Sequence, residues 1–525
     1  MGGGRAAFLD ESRPRAVHPP DMPITLTGRD LGLADLARFL AGDRIRLSPG
    51  AWKSVGAARR VVEKLLASGA AIYGVNTGFG RLSNVRIPDA QIRDLQVNLL
   101  RSHAVGVGPP LSPAEARVAL LLRANTLARG NSGVTRRVIE TLLALANAGI
   151  APVIPEQGSV GASGDLAPLA HLALLLIGEG EAFLPDGSRV PGRKALAAAG
   201  AGPVTLEAKE GLALINGTQI MSSILALCLL RARRLAVAAD VAAAMSLDAL
   251  KGTIVAFDPR IHAVRPHAGQ AVSARNVVKV MRGSEIWPSH AHCEKVQDQY
   301  SLRCVPQVHG AARDGISYAE GVLAVEMNSS TDNPLVFPDD GSILSGGNFH
   351  GQPVAQAADF VALGICEFGS ISERRIESLV NPDLSGLPPF LSRESGLNSG
   401  MMILQVVAAA LVSENKVFAH PACVDSIPTS ANKEDHVSMG VTSALKLRRI
   451  LDNVERVLAI ELLAAAQGLE FHRPLRTSPA LERVHAAIRE KVAPLTRDRS
   501  MAADIEAVKT MIADGTVGKA AGLAE

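Results

Sequence analysis

The segment Gly158-Ser-Val-Gly-Ala-Ser-Gly-Asp-Leu-Ala-Pro-Leu-Ala-His171 carries the most unusual chemistry of this 525-residue chain. At its centre Ser163 lies between Ala162 and Gly164, so little side-chain volume surrounds its backbone. Gly164 can also adopt backbone conformations that other residues avoid. Such a tripeptide can cyclise by attack of one backbone amide on the carbonyl two residues back, and then lose water. The product would be an electrophile, which no standard side chain supplies; we call residues 158–165 the electrophile loop.

Two other interpretations of this segment need no electrophile. A Gly- and Ser-rich turn that enters a helix is common in proteins. A serine-hydrolase nucleophile elbow needs the pattern Gly-x-Ser-x-Gly, but here the second glycine, Gly164, comes one place too early. The length of the block, together with the further blocks below, favours the electrophile over the plain turn.

The composition is typical of a globular protein rather than a disordered one. Apolar residues make up 47% and charged residues 20% of the chain, and the length suggests two or more domains. The formal net charge of +3 gives no sign of a nucleic-acid or membrane partner. The longest apolar run, residues 220–230, is well short of the ~20 residues that a membrane span needs. We therefore expect neither partner.

Cysteine and histidine patterns argue against disulfides and metal. The five cysteines are scattered, without a Cys-x-x-Cys pair, at Cys228, Cys293, Cys304, Cys366 and Cys423. This pattern fits a reducing cytoplasm. His290, His292 and Cys293 could chelate, but no spaced partner pair exists, so a loop histidine pair without metal is favoured. Residues 1–23 lack the apolar core of a secretory signal and are expected to form a loose tail.

Helix signals dominate the rest of the chain. Ser112-Pro-Ala-Glu115 predicts a capping box, with proline at the first position of a helix that stops near Gly130. Further long helical patterns occur at about 211–248, 352–379, 401–416 and 441–469, and short extended segments are expected at 45–47 and 253–256. We place an N-terminal domain with the electrophile loop at residues 24–230. A long-helix bundle and a C-terminal helical region follow at 231–525.

Three polar side chains in separate blocks match what ammonia elimination from an α-amino acid requires. The β-hydrogen needs a base, and Tyr73, before a glycine-rich stretch that could form a mobile lid, can supply one. The carboxylate needs an anchor, and Arg303 can hold it through two parallel hydrogen bonds. The amine needs a proton partner, and a buried Glu434 can exchange protons with it. Their plain structural alternatives are a packed tyrosine, a surface arginine and an acid at a helix start.

Together these blocks resemble the signatures of the aromatic amino acid ammonia-lyases, from about residue 24 to the C-terminus. The resemblance implies that Ala162, Ser163 and Gly164 form a 4-methylidene-imidazol-5-one group, with no metal or dissociable cofactor. It also implies a mainly α fold with a central bundle of long helices, as in the aspartase/fumarase-like superfamily. The expected assembly is a homotetramer in which neighbouring subunits share each active site.

The same resemblance assigns roles to residues outside the electrophile loop. Tyr73 is implied to be the β-proton base, Tyr300 to lie near the electrophile, and Glu434 to complete the catalytic set. The implied substrate-binding residues are His103, Asn216, Gln297, Arg303, Phe349 and Met402. Among them, Asn216 lies beside the electrophile by this resemblance, although an asparagine there could also be a helix N-cap. Phe349 packs on the electrophile, and Gln297 orients the amine.

The pair Ser102-His103 bears on the choice of amino acid. Histidine ammonia-lyases of this family carry Ser-His here, whereas phenylalanine and tyrosine members tend to carry bulky apolar or His-Leu pairs. An imidazole side chain can share a hydrogen bond with an imidazole substrate. The resemblance thus implies elimination of ammonia from L-histidine to give trans-urocanate. Departures from the family pattern at Lys433, Gln352 and Met401 leave a histidine derivative, tyrosine or phenylalanine open, and an aminomutase would use the same electrophile.

Overall fold

The computed structural model describes residues 23–68, 74–78, 84–290 and 296–524. Within these ranges α-helices dominate, which confirms the expectation of a mainly α fold. In chain order the helices are α1 (Leu33–Leu40), α2 (Pro49–Ala67), α3 (Ile92–His103), α4 (Pro113–Ala128), α5 (Arg136–Asn147), α6 (Leu166–Leu176), α7 (Gly192–Ala198), α8 (Glu210–Ile215), α9 (Gln219–Ala249), α10 (Pro259–Ala263), α11 (Ala268–Met281), α12 (Tyr300–Arg303), α13 (Val305–Glu326), α14 (Gln352–Val380), α15 (Pro382–Ser385), α16 (Met402–Phe418), α17 (Gly440–Glu470), α18 (Pro479–Lys491), α19 (Ala502–Ala513) and α20 (Thr516–Ala521).

The strands are short and form small sheets at the edge of the helical body. They are β1 (Ile24–Leu26), β2 (Ile45–Leu47), β3 (Val107–Pro110), β4 (Ala151–Pro152), β5 (Pro155–Gln157), β6 (Glu181–Phe183), β7 (Arg189–Pro191), β8 (Leu335–Phe337) and β9 (Ser342–Leu344). β1 and β2 pair in parallel, whereas β3–β5, β4–β6–β7 and β8–β9 are antiparallel. The β3–β5 pair matters for the site, because it joins the chain after α3 to the start of the electrophile loop.

A bundle of long helices forms the centre of the protein. α9, α13, α14 and α17 pack against one another, with α11 along α13 and α16 along α14 and α17. Nearly every residue of α9 is buried, and so is most of α17. A helix of this length extends about 46 Å, since each residue adds ~1.5 Å. An apolar surface on several sides suits a helix enclosed by others, and this explains the alanine- and leucine-rich sequence.

Local signals set several helix ends as the sequence predicts. At the start of α4, Ser112 Oγ accepts from the Glu115 amide at 3.3 Å, and the Glu115 carboxylate accepts from the Ser112 amide at 2.8 Å. This reciprocal capping box satisfies amides that the first helical turn leaves unpaired. The other predicted helices at 352–379, 401–416 and 441–469 correspond to α14, α16 and α17, and the extended segment at 45–47 is β2.

Two predicted elements are wrong. The single helix expected at about 211–248 is broken into α8 and α9 at residues 216–218, where Gly217 has a φ of 146°. The extended segment expected at 253–256 is instead a 3-10 turn, Ile254–Phe257. Thr253 Oγ1 accepts from the Val255 amide at 3.3 Å, and the Val255 side chain is exposed. A strand would need a neighbouring strand to cover that β-branched side chain, and none of the described strands pairs with this segment.

The proposed boundary at residue 230 lies inside α9, which is a continuous helix. One hydrophobic core takes side chains from both sides of it, from Ile24 to Leu523, so the division into two domains remains a prediction. Among the described residues, α14 alone is long and apolar enough to cross a membrane, and 61% of its most apolar window is buried inside the protein. That burial is typical of a core helix.

Candidate active site

A cavity of about 750 Å³ opens beside the electrophile loop. Its walls are mostly apolar, with a small number of polar groups, which is typical of a small-molecule site. Five residues expected at the site line it: His103, Ser163, Asn216, Phe349 and Glu434. The remaining lining residues are Gly78, Val85, Ile87, Leu95, Asn98, Leu99, Ser102, Leu166, Leu212, Ile215, Asn333 and Ser430.

The electrophile loop is held by close backbone packing. Gly164 has a φ of 71°, and a Cβ added there would lie 2.1 Å from the Gly217 carbonyl oxygen. The Asp165 amide donates to that same oxygen at 2.7 Å. Ala162 is buried, and only a residue without a side chain fits at position 164. The structure therefore gives a steric reason for the Ala-Ser-Gly sequence.

The hydroxyl and the backbone carbonyl of Ser163 are both hydrogen-bonded to expected site residues. Ser163 Oγ donates to Glu434 Oε1 at 2.9 Å, and the Ser163 carbonyl oxygen accepts from Asn216 Nδ2 at 2.8 Å. Thr429 Oγ1 donates to the other carboxylate oxygen of Glu434 at 2.6 Å. Glu434 lies in a tight turn, not at a helix start, since α17 begins only at Gly440. Both Ser163 and Glu434 can therefore act on the same small volume.

Asn216 does not serve as a helix N-cap. It is the C-terminal cap residue of α8, in an extended conformation, and Thr218 holds the N-cap position of α9. Its side chain is thereby released to reach the Ser163 carbonyl. The break between α8 and α9, which the sequence did not predict, is what places the asparagine at the site.

Asp165, the last residue of the electrophile loop, has no role that the sequence predicts. Its Oδ2 accepts from the Ile220 and Met221 amides at 2.9 Å each, and its Oδ1 accepts from Ser159 Oγ at 3.0 Å. The carboxyl group is fully buried, and burial raises its pKa to about 7. Asp165 thus joins the electrophile loop to the first turn of α9. The available signal was an acid directly after Gly164, followed by a helix.

His103 ends α3 and faces the cavity with a defined tautomer. Its Nδ1 lies 2.9 Å from the Leu99 carbonyl oxygen, which can only accept, so Nδ1 carries the proton. Ser102 Oγ lies 3.0 Å from the same nitrogen. Burial is the main cause that lowers the pKa of His103, against smaller opposing effects of Leu99 and Glu434. The neutral ring therefore offers Nε2 as a hydrogen-bond acceptor.

Four expected residues do not line this cavity within one chain: Gln297, Tyr300, Arg303 and Met402. Tyr300 is 71% exposed, and the Arg303 guanidinium lies over its ring, 4.6 Å from the centroid. Arg303 Nε is buried and has no hydrogen-bond partner in the described structure. We call residues 297–303 the anchor segment. Tyr73 falls outside the described residues.

The described residues offer few candidates for metal or disulfide chemistry. They contain no group of three or more His, Cys, Asp or Glu side chains placed to hold a metal ion. His292 and Cys293 are outside the described ranges. The four described cysteines are unpaired: Cys228, Cys304, Cys366 and Cys423.

Known proteins share this sequence and fold over nearly their whole length. A model of the aromatic amino acid lyase family matches residues 31–490. Histidine ammonia-lyase of Anaeromyxobacter dehalogenans (strain 2CP-C) is 56% identical over 503 residues, which cover 94% of this chain and 99% of that protein. The crystal structure of histidine ammonia-lyase from Trypanosoma cruzi has a TM-score of 0.89 and 46% identity, covering 96% of each chain. Tyrosine aminomutase from Streptomyces globisporus has a TM-score of 0.90 and 38% identity, covering 95% of this chain and 98% of that one. The chain belongs to the aromatic amino acid lyase family.

Proposed function

We propose that this protein is a carbon–nitrogen lyase that eliminates ammonia from L-histidine to give trans-urocanate. The observation that carries the proposal is the pair of bonds on Ser163, to Glu434 and Asn216, at the wall of a cavity that also contains His103. Its similarity to histidine ammonia-lyases, at 56% identity over most of the chain, supports the same activity.

The residues present fit a methylidene-imidazolone group made from Ala162, Ser163 and Gly164. Gly164 is packed where no side chain fits, and the Ser163 carbonyl oxygen has a hydrogen-bond donor in Asn216. When formed, this group would supply the electrophile that draws electrons from the substrate. Ring closure joins the Gly164 nitrogen to the Ala162 carbonyl carbon, and two waters leave, with the Ala162 carbonyl oxygen and the Ser163 hydroxyl.

Glu434 is the proton partner that the described structure offers. Its carboxylate accepts from Ser163 Oγ at 2.9 Å. It would therefore lie next to the amine of a substrate bound at position 163. The Thr429 hydroxyl bond fixes the second carboxylate oxygen and leaves the first directed to the cavity. A positioned carboxyl group at this distance is suited to general acid–base catalysis.

The tautomer of His103 favours a substrate with an imidazole ring. Because Nδ1 donates to Leu99, Nε2 must accept, and the N–H of a neutral histidine ring is a matching donor. A phenyl ring would leave that acceptor unpaired in a partly desolvated pocket, which costs about 1–3 kcal/mol. Of the departures from the family pattern, Met401 is buried, and Gln352 donates to the Cys423 carbonyl. Neither lines the cavity.

The anchor segment and a group of exposed apolar side chains support a homotetramer with shared active sites. Tyr300 and Arg303 do not line the cavity of their own chain, so a neighbouring subunit would bring them to it. Large apolar side chains are exposed on the bundle helices α13, α14 and α16: Tyr318, Val325, Phe360, Leu363, Val406 and Val417. Exposed apolar surface of this kind marks an interface. Unpaired cysteines fit a cytoplasmic location.

Purified protein incubated with L-histidine tests the activity through the ultraviolet absorbance of urocanate. We expect the absorbance to rise with L-histidine and to stay flat with L-tyrosine and L-phenylalanine. A rise only with the latter two would change the substrate, and a β-amino acid product found by chromatography would indicate an aminomutase. Ser163→Ala should keep its helical circular dichroism and lose turnover. Substantial activity in that variant would contradict an electrophile derived from Ser163.

A further inference from the structure

Arg123 is a fully buried cation directly behind the electrophile loop. It lies in the middle of α4, with no exposed surface. No carboxylate of the described structure forms an ion pair with it; instead, its Nη1 donates to the carbonyl oxygens of Ala213 at 3.1 Å and Asn216 at 2.8 Å. Nε and Nη2 have no hydrogen-bond partner within the described ranges. A buried guanidinium used in this way is costly, so it calls for a functional reason.

The two carbonyls that Arg123 binds belong to the C-terminal turn of α8, where the helix stops. Carbonyls of a last turn lack partners within the helix, and Arg123 supplies one. The next residue, Gly217, is pressed against the guanidinium: a Cβ there would lie 2.7 Å from Arg123 Nη2. Arg123 therefore fixes the backbone at the break between α8 and α9.

This break carries the hydrogen bond to the electrophile. The Asn216 side chain donates to the Ser163 carbonyl, but its own Oδ1 is buried without a partner. Among the described residues no second hydrogen bond holds this amide group, so its orientation depends on the backbone of Asn216. That backbone is held at the Asn216 carbonyl by Arg123, and at Gly217 by Asp165 of the loop.

The charges around Arg123 keep it ionised. Burial lowers its pKa to about 10, while Asp332 and Asp165 oppose this change, so the guanidinium is charged at neutral pH. Asp332 is itself paired with Lys209 at 2.7 Å, and both side chains are fully buried. Arg123 thus adds positive charge close to the loop.

We propose that Arg123 is a positioning residue for the electrophile, which holds the Asn216 amide on the Ser163 carbonyl oxygen while the Ser163 hydroxyl is eliminated and during turnover. The proposal rests on the proposed function, because it concerns the group formed at Ser163. A donor fixed in advance at an oxygen that gains negative charge accelerates a reaction, whereas a mobile donor must first be ordered. Arg123 does not touch the substrate, so it acts only through Asn216.

The test compares Arg123→Met, Arg123→Lys and a matched control, Arg117→Met, in the full chain. Arg117 is a partly buried arginine of the same helix that stacks on Phe39, away from the site. Intact mass gives the fraction of chains that have lost two waters, and kcat is expressed per matured chain. We expect Arg123→Met to mature incompletely or to lose about 10²-fold in kcat with KM within about 3-fold. Arg123→Lys should recover part of the loss, since it restores charge with fewer donors.

A double-mutant cycle with Asn216→Ala separates positioning from general destabilisation. If Arg123 acts through Asn216, Arg123→Met should change kcat by less than about 3-fold once Asn216 is gone. Additive losses, or full maturation with unchanged kcat in Arg123→Met, would overturn the proposal. If circular dichroism shows that Arg123→Met does not fold, the same cycle with Arg123→Lys decides. Failure of the unmodified protein to mature or to consume L-histidine would instead contradict the proposed function.

Discussion

The electrophile loop and the anchor segment differ in how completely a single chain builds them. Around Ser163, partners from distant parts of the sequence, Asn216 and Glu434, are already at hydrogen-bond distance. In the anchor segment, Tyr300 is 71% exposed, and Arg303 keeps a buried nitrogen without a partner. The chemistry of the loop depends on backbone packing that one chain must provide. In its proposed role the anchor segment has only to meet a ligand, so a neighbouring subunit could supply it.

The largest effect is expected where the loop packs most tightly. Gly164→Ala places a Cβ 2.1 Å from the Gly217 carbonyl and requires a left-handed backbone at φ 71°. The left-handed conformation alone costs about 1–2 kcal/mol, and the overlap adds ~1–3 kcal/mol. We expect the variant to retain both waters in its intact mass and to show no detectable turnover.

Gly200→Ala is the matched control for that variant. Gly200 has a similar φ of 68°, but nothing lies within 4 Å of an added Cβ. It therefore tests the backbone strain without the overlap, and we expect normal maturation and activity with a melting temperature lowered by a few degrees at most. Normal maturation in Gly164→Ala would show that the close approach to Gly217 is not required.

The next effect concerns the anchor segment. Arg303→Met should lower kcat/KM for L-histidine by about 10²-fold or more, because the charged hydrogen-bonded pair that we propose with the substrate carboxylate would be lost. The intact mass should still show complete loss of two waters, since Arg303 is not part of the electrophile loop. Steady-state kinetics and mass spectrometry on one preparation therefore distinguish a defect in the anchor segment from a defect in the electrophile loop.

A hybrid of two impaired variants tests whether one active site takes residues from different subunits. Ser163→Ala and Arg303→Met, co-expressed with different tags and purified as a hybrid, should recover activity if the two residues of one site come from different subunits. If each site is built by a single chain, the hybrid remains as inactive as its parents. The two variants, purified separately and then combined, are the control.

A smaller effect is expected at His103. His103→Leu removes the Nε2 acceptor, so kcat/KM for L-histidine should fall by about 10- to 100-fold, the equivalent of leaving one substrate donor unpaired. Binding of L-phenylalanine, measured as its inhibition constant against L-histidine turnover, should not weaken, because its ring has no N–H to pair. An equal loss for both ligands would show that His103 shapes the pocket but does not recognise the substrate ring.

The sequence predicts the elements whose causes are local. The capping box of Ser112 and Glu115 and the long apolar periodicities of α14 and α17 place those helices within a residue or two. The break at residues 216–218 was missed, because its causes, Arg123 and Asp165, come from other parts of the chain. The region is apolar enough to continue as helix, but in the folded chain Gly217 adopts a φ of 146° at the point where these contacts are made.

The site was predicted to a similar extent and for a similar reason. Ser163, Asn216, Glu434, Phe349 and His103 were expected from their blocks, and the structure brings them to one cavity. The helix-start and N-cap alternatives for Glu434 and Asn216 fail because side-chain contacts made at long range decide both positions. The sequence predicts no role for Asp165, since its partners at the start of α9 become neighbours only on folding.

The smallest effect is a pH dependence of stability due to Asp165. Its pKa is about 7 in the folded protein and near 3.9 when unfolded. Between those values the folded chain holds a proton that the unfolded chain has released, so this contribution to stability is present below about pH 4 and is lost as the pH rises to about 7. Asp165→Asn cannot titrate and retains an oxygen for the Ile220 and Met221 amides. The stability of the unmodified protein relative to this variant should therefore decline from pH 5 to pH 7, by at most about 1.4 kcal/mol per pH unit.

Melting temperatures at pH 5, 6, 7 and 8 measure this decline. For a chain of this size we expect the difference between the two proteins to change by only about 1–2 °C per pH unit up to pH 7 and to level off above it. Asp340→Asn is the control, because Asp340 is exposed and its bonds to Ser342 hold its pKa below the usual range. Its difference from the unmodified protein should stay constant from pH 5 to pH 8. Parallel curves for Asp165→Asn as well would mean that the buried carboxyl group is ionised throughout, and that Arg123 compensates its charge more fully than burial opposes it.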